Sequence, residues 1–226
     1  MSSYNTFAKF YDELTENVEY KERVDYISSF FKNYCTKCNT VLDLACGTGS
    51  VSKYLADLGY NVIGIDLSDE MLTVASSKQI NGATFIKGDM SCFELPYNVD
   101  ACVCSLDSIN HLKDIEEVKK CFDCVYNSLN DGGVFVFDVN TVYKHKEVLG
   151  DNTFVFDEDD FFLSWDNEYL GDNTVRILLD FFVFNGKNYD RFSEEFNEKA
   201  YTAEELKNVL NKFHIIGIYD EMTLDN

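Results

Sequence analysis

The sequence lacks the features that mark membrane and secreted proteins. Nowhere in its 226 residues does an apolar run approach the roughly 18 residues that a membrane span needs. The first residues, MSSYNTFAKFYD, have neither the basic flank nor the long apolar stretch of a secretory signal. We therefore predict a cytoplasmic protein with no membrane partner.

Basic residues are scarce as well. The chain has 19 Lys and Arg against 40 Asp and Glu, which gives a formal net charge of −21. Such a charge serves solubility, and its field repels polyanions such as nucleic acids and anionic membrane surfaces. The sequence therefore predicts a small-molecule substrate and no nucleic-acid partner.

Cysteine, in contrast, is abundant. The eight cysteines include two C-x-x-C pairs, Cys35 with Cys38 and Cys121 with Cys124, which together would suffice for a four-thiolate zinc site. The second pair, however, falls on the apolar stripe of a predicted helix. In a cytoplasmic protein such cysteines are mostly reduced thiols in the core, so we predict no metal.

Short apolar runs alternate with amphipathic stretches from residue 40 onward, and the chain has a single proline and no repeats. Continuous apolar strands that alternate with helices indicate a parallel sheet covered on both faces. We predict an α/β fold with a doubly wound, mainly parallel, Rossmann-like sheet. Its predicted strands are VLDLA (41–45), NVIGID (61–66), ATFIKGD (83–89), VDACVCSL (99–106) and GGVFVFDVN (132–140).

The flanks of this core follow other patterns. Residues 1–35 read as an N-terminal helical cap whose first helix begins at Ser3, and residues 36–148 as the core. Residues 149–200 alternate without helices and contain the hairpin signal Asn185-Gly186, so we predict an inserted antiparallel β-sheet as a lid. Residues 201–226 would return to the core as a helix, capped by Thr202 and Glu205, and a strand, FHIIGIYD (213–220).

The turn after the first predicted strand, VLDLACGTGS (41–50), is the main functional motif. Glycines 47 and 49 suit a strand-to-helix turn that a ligand approaches closely, although Ser52 stands where a dinucleotide motif has its third glycine. Asp66, at the end of the second strand, suits a ribose diol. Its alternative role is a helix cap, but Ser68 already suits that role. The two features together predict an adenosine-bearing cofactor.

These segments resemble the motifs of the class I S-adenosylmethionine-dependent methyltransferases. VLDLACGTG is similar to the first motif, VIGIDLSDEML to the second, KGDM (87–90) to the third, DACVCSLDSINHL (100–112) to the segment after the fourth strand, and DGGVFVFD (131–138) to the fifth strand. The resemblance covers residues 36–140, and YNTFAKFYDEL resembles the N-terminal helix of a small-molecule branch of the family.

The resemblance implies S-adenosyl-L-methionine as cofactor and assigns roles along the chain. Its ribose would lie at Asp66, its adenine near Leu67, Met71, Asp89 and Met90, and its sulfonium near Ser105 and Leu106. The methionine moiety would face Asp43 and the turn with Ala45, Gly47 and Gly49, and Tyr4 and Tyr11 would close over the cofactor. The residues agree with this assignment, because residues 42–52 contain no basic side chain for a phosphate, and an ammonium and a sulfonium suit an acidic site.

Candidate catalytic and substrate residues follow the fourth strand, where this fold exposes its strand ends. Asp107 and His111 are the candidate bases and Asn110 a candidate substrate contact, although a structural role for His111 is an open alternative. In the inserted sheet, Trp165 and Tyr169 are candidate pocket walls, and core packing is the alternative for its aromatic residues.

One departure from the family concerns the end of the sheet. Family members finish with two antiparallel-paired strands, whereas here only one candidate, 213–220, is followed by EMTLDN. The unpaired sheet edge predicts a homo-oligomer. The leading hypothesis is methyl transfer to an N, O or S nucleophile of a small molecule by in-line displacement. A non-catalytic binding protein for the same cofactor, a nicotinamide-dependent oxidoreductase and a thiol enzyme that uses Cys46 are the alternatives.

Overall fold

Two β-sheets form the framework of the protein, whose computed structural model describes residues 4–159, 161–220 and 222–223, without the side chains of residues 4–6 and 9. The first sheet has five parallel strands in the order β3-β2-β1-β4-β5. They are β1 (Thr40–Leu44), β2 (Asn61–Asp66), β3 (Ala83–Lys87), β4 (Val99–Cys104) and β5 (Leu129–Phe137). The predicted doubly wound core is confirmed.

Six α-helices accompany this sheet in the described part of the chain. They are α1 (Tyr4–Leu14), α2 (Tyr20–Tyr34), α3 (Ser50–Asp57), α4 (Asp69–Ser77), α5 (Ile115–Ser128) and α6 (Ala203–Val209). The predicted capping residues Ser68 and Thr202 each accept a backbone N–H with their side chain, and Asp114 does the same at the start of α5. Ser3 lies outside the described residues.

The central strands are buried because helices cover both faces of the sheet. Successive residues of β1 point to opposite faces, so Val41 packs with Phe31 of α2 and Leu55 of α3, whereas Leu42 packs with Phe122 of α5. β1 and β4 are neighbours in the middle of the sheet, and the chain continues outward from them in opposite directions, to β2 and β3 on one side and to β5 on the other. At this switch point the carboxyl ends of the strands leave a crevice for a ligand.

The second sheet is antiparallel, with the order β6-β7-β8-β9. Its strands are β6 (Thr153–Asp157), β7 (Phe161–Gly171), β8 (Thr174–Phe184) and β9 (Tyr189–Lys199), preceded by a π-helical segment, Lys144–Leu149. The predicted hairpin turn at Gly186 forms with φ +89°. One face of the sheet has its own apolar core, into which Phe7 and Phe10 of α1 pack. The predicted inserted sheet is therefore present, while the exact domain boundaries stay predictions.

The predicted strand at 213–220 is wrong. Residues 214–219 have no regular structure, and Ile215, Ile216 and Ile218 are exposed. Tyr219 anchors this segment on α2 instead, with its ring 5.5 Å from that of Phe30. Within the described residues β5 pairs only with β4, so its outer edge is unpaired. A homo-oligomer through this edge stays a prediction.

Candidate active site

The turn after β1 adopts the backbone conformations that its glycines allow. Ala45, Gly47 and Gly49 have φ values of +58°, +53° and +80°. Gly49 is the N-terminal cap of α3, and a Cβ atom there would come within 2.8 Å of the Phe85 ring. A side chain at this position would therefore be both strained and crowded.

Asp66 fixes the end of β2 against this turn. Its Oδ2 accepts the backbone N–H of Gly47 at 2.8 Å, and its Oδ1 accepts that of Ser68 at 2.9 Å. The Ser68 hydroxyl in turn accepts the N–H of Met71, so Ser68 caps α4 as predicted. Each carboxylate oxygen of Asp66 has a second lone pair, which leaves an acceptor for a ribose hydroxyl.

A cleft, partly open to solvent, lies between the glycine turn, the end of β4 and α1. Six of the predicted cofactor residues line it: Tyr11, Asp43, Ala45, Gly47, Ser105 and Leu106. The sequence therefore identified residues from three separate segments that the fold brings together.

The loop after β4 is held in an unusual conformation at one end of this cleft. Leu106 and Asp107 have positive φ values, +56° and +51°. Both donate their backbone N–H to the carboxylate of Asp138, at 3.1 and 2.6 Å, and Arg23 of α2 pairs with the same carboxylate at 2.9 Å. The Asp107 side chain accepts a hydrogen bond from Asn140, which follows β5.

Asn110 and His111 occupy the 3₁₀ turn Ser108–His111 that follows. Asn110 is fully buried, and its Nδ2 donates to the carbonyl oxygens of Asn140 (3.3 Å) and Lys199 (2.9 Å). Both N–H groups are thus engaged, and Asn110 ties β9 to the loop. The His111 ring is 44% exposed and lies 5.3 Å from the Phe196 ring, with its Nε2 3.7 Å from Glu198 Oε1.

Comparison with known proteins agrees with this geometry. Residues 41–133 match the family model described as a methyltransferase domain. The Bacillus subtilis protein YqeM, a methyltransferase by name, is 35% identical over 212 residues, which cover 92% of this chain and 84% of YqeM. The chain belongs to the class I S-adenosylmethionine-dependent methyltransferases.

Two further relatives extend the comparison. A crystal structure of an S-adenosylmethionine-dependent methyltransferase from Clostridium acetobutylicum has a TM-score of 0.81 and 38% identity, covering 92% of this chain and 86% of that one. The Streptomyces venezuelae enzyme dTDP-3-amino-3,4,6-trideoxy-alpha-D-glucopyranose N,N-dimethyltransferase is 30% identical over 120 residues, or 53% of this chain and 50% of the enzyme.

The methyltransferase uses S-adenosyl-L-methionine, and Asp43 fits its charge. Asp43 is 2% exposed, and Ser52 donates a hydrogen bond to it at 2.5 Å. Burial raises the pKa of this carboxyl to about 7, against the opposing effect of the Ser52 hydrogen bond. The ammonium group of the cofactor would supply the missing countercharge, whereas a phosphate would meet two acids, Asp43 and Asp66.

The residues predicted near the adenine lie at the ends of β2 and β3. Leu67 is 65% exposed, which suits a side chain that a flat ring would cover, and Met71 and Met90 are half-buried. Asp89 Oδ1 accepts the N–H and the hydroxyl of Ser91, both at 2.7 Å. The side chain of Tyr4 lies outside the described residues. These contacts with cofactor stay predictions.

Trp165 and Tyr169 belong to the core of the antiparallel sheet of the methyltransferase. Trp165 Nε1 donates to Asn167 Oδ1 at 2.8 Å, and its ring lies against Phe154. The Tyr169 hydroxyl accepts the N–H of Asn173. Their role as pocket walls stays a prediction, and the observed contacts agree with the alternative of core packing.

Two residues beside the loop after β4 were not predicted from the sequence. Glu198 of β9 is 6% exposed, and His145 of the π-helical segment is fully buried with its Nε2 3.7 Å from Glu198 Oε2. A signal existed for Glu198, because Phe192, Phe196 and Glu198 share one face of β9 by two-residue alternation. For His145 no local pattern indicates its position.

Two other structural features bear on the site. Residues 4–159, 161–220 and 222–223 contain no group of three His, Cys, Asp or Glu side chains that could hold a metal ion. No helix in the same ranges has the length and apolar character to cross a membrane.

Proposed function

We propose that this methyltransferase transfers the methyl group of S-adenosylmethionine to an N, O or S nucleophile of a small molecule in the cytoplasm. The observation that carries this proposal is the position of β9. The end of β9 lies next to the loop after β4, because Asn110 Nδ2 donates a 2.9 Å hydrogen bond to the backbone carbonyl of Lys199. An acceptor under β9 would be adjacent to Ser105 and Leu106, the residues assigned to the sulfonium.

The dTDP-amino-sugar relative supports a small acceptor, because its name specifies a nucleotide sugar and a nitrogen. The charge of this chain supports the same class, since a net charge of −21 disfavours nucleic acids.

The cofactor supplies an electrophilic methyl group, and the chain's own contribution is positioning. An in-line displacement at a sulfonium needs no acid for the leaving group, so near-attack geometry and exclusion of water dominate. A base is needed only for an acceptor that loses a proton, and Asp107 and His111 are the groups we assign to that role.

Incubation with radiolabelled S-adenosylmethionine and a protein-free extract of Bacillus subtilis cells tests the proposal. We expect label in a low-molecular-mass product, formed in proportion to enzyme. Binding of S-adenosylhomocysteine without any labelled product would instead favour the non-catalytic binding protein, and label in added protein or RNA would contradict a small acceptor.

A further inference from the structure

Glu198 is a buried carboxylate between two imidazoles that do not hydrogen-bond to it. Its Oε1 lies 3.7 Å from His111 Nε2, and its Oε2 lies 3.7 Å from His145 Nε2. Both distances exceed those of a hydrogen bond. The three side chains come from β9, the 3₁₀ turn after β4 and the π-helical segment after β5, so the fold itself assembles them.

His145 presents an acceptor atom to this space. Its Nδ1 lies 3.0 Å from the carbonyl oxygen of Asn173, and a carbonyl only accepts. Nδ1 therefore carries the proton of the neutral ring, and Nε2 presents a lone pair. Burial lowers the pKa of His145, which keeps the ring neutral. Nε2 is fully buried and has no hydrogen-bond partner. Most buried polar atoms in native structures do have such a partner.

The surroundings of Glu198 are rich in acceptors. Its charged neighbours are Asp107 on the loop after β4 and Lys144, whose side chain is exposed, on the π-helical segment. Burial first, and the Asp107 charge second, raise the pKa of Glu198 to about 8. The Asn140 amide donates to Asp107 and also hydrogen-bonds to Glu198, which partly opposes this rise. A ligand group that reaches Glu198 Oε2 and His145 Nε2 would match these acceptors best with positive charge and several N–H donors.

We propose that the methyl acceptor is a basic amine, which binds as its ammonium form between Glu198 and His145 and gives a proton to Glu198 before methylation. This inference rests on the proposed function and names its substrate class. An ammonium offers up to three N–H donors and a charge, whereas an alcohol or thiol offers one donor and no charge. The Glu198 carboxylate and His145 Nε2 match the ammonium better.

The reaction balances with the groups present. The ammonium transfers one proton to the Glu198 carboxylate, which leaves a neutral amine and a neutral carboxyl. The amine nitrogen then forms the new N–C bond with the methyl group, and the electron pair of the broken C–S bond stays on sulfur. The product leaves as a methylated ammonium ion. His111, 44% exposed beside Glu198, can pass the carboxyl proton to water.

The test compares Glu198→Gln with Glu195→Gln in the labelled-extract assay. Glu195 is the matched control, because it is exposed on the opposite face of β9, with its Oε1 4.0 Å from Arg176. We expect mass spectrometry of the labelled product to place the methyl group on an amine nitrogen. We expect Glu198→Gln to lower its rate of formation about 100-fold, as for loss of a general base, with unchanged S-adenosylhomocysteine affinity, and Glu195→Gln to match the wild type.

The pH profile separates proton transfer from a merely structural role. The free amine becomes more abundant in solution as the pH rises, so the deficit of Glu198→Gln should shrink at high pH, whereas a misfolded site would stay inactive. A methyl group on oxygen or sulfur, or a wild-type rate in Glu198→Gln, would overturn the amine site while leaving the proposed function intact. If neither the wild type nor either variant formed a labelled product, the proposed function itself would be overturned.

Discussion

Three buried carboxyl groups of the protein have raised pKa values, and two of them, Asp43 and Glu198, belong to the candidate site. Asp43, Glu194 and Glu198 are each less than a tenth exposed, and Glu194 Oε1 has no hydrogen-bond partner. Burial is the first cause of the raised pKa in each, to about 7 for Asp43 and Glu194 and about 8 for Glu198. These groups bind protons more tightly in the folded chain than in the unfolded chain.

The sign of their effect on stability follows from linkage. Between the usual carboxyl pKa of about 4 and the raised values of about 7 to 8, the folded state binds more protons than the unfolded state. The stabilisation is complete at low pH and is lost as the pH rises through the folded pKa. Burial lowers the pKa of His111 and His145, which acts in the opposite direction below their usual value of about 6.5. We therefore expect the free energy of unfolding of the cofactor-free protein, measured in urea, to fall from about pH 6.5 to about pH 8.

Variants separate this effect from the repulsion of the whole negative charge. Glu198→Gln should flatten the fall between about pH 6.5 and about pH 8, whereas Glu195→Gln, on the exposed face of β9, should keep the wild-type slope. A slope in Glu198→Gln equal to that of the wild type would show that Glu198 does not titrate in this range.

At the scale of elements, the side chain of Asp12 connects α1 to the glycine turn after β1. Asp12 accepts hydrogen bonds from the hydroxyls of Thr48 (2.6 Å) and Ser50 (3.1 Å) and pairs with Lys78 of α4 at 2.7 Å. Burial alone would raise the pKa of Asp12, but Lys78 and the hydroxyls hold it below its usual value. Since Tyr11 lines the cleft, this contact closes α1 over it.

Removal of the contact should loosen α1. We expect Asp12→Ala to speed amide hydrogen exchange in residues 7–14 about tenfold, because hydrogen bonds to a charged group contribute about 1.5–3 kcal/mol. Asp25→Ala, which breaks the exposed pair of Asp25 with Lys21 within α2, is the control and should leave α1 protected. Unchanged exchange in Asp12→Ala would mean that Phe7 and Phe10 alone hold the helix.

The parallel core was predictable because its elements carry local signals. Continuous apolar strands, a glycine turn and capping residues each report on their own few residues, and the sheet order then follows from the fold class. The apolar run at 213–220 gave the same signal, yet its Tyr219 packs on Phe30 and the run pairs with no described strand. The local pattern of apolar residues predicts that a segment can form a strand, but it does not indicate whether another strand lies beside it to pair with.

The acceptor side of the site was predictable only in part. Asp107, Asn110 and His111 follow β4 directly, so the fold class places them. Glu198 and His145 are separated by more than fifty residues in sequence and meet through the packing of β9 against the segment after β5. Contacts of this kind depend on tertiary structure, and a single sequence carries no signal for them.

At the scale of the whole molecule, the two sheets contribute different residues to the candidate site. The parallel sheet supplies the residues that we assign to the cofactor, Asp43, Asp66 and Leu106, from its strand ends. The antiparallel sheet contributes Glu198, next to the loop after β4. We infer that cofactor binding depends on the first sheet and acceptor choice on the second. Substitutions on the buried face of β9, such as Glu198→Gln, should then change acceptor turnover and leave cofactor affinity unaltered.

The most direct test of this account is a calorimetric titration with S-adenosylhomocysteine. We expect saturable binding at one site per chain, weakened about 10-fold to 100-fold in Asp66→Asn, since a hydrogen bond to a charged group is worth about 1.5–3 kcal/mol. Asp69→Asn, a change at an exposed residue paired with Lys87 in the first turn of α4, should bind as the wild type does. Absence of saturable binding, or equal affinity in Asp66→Asn and wild type, would contradict the account.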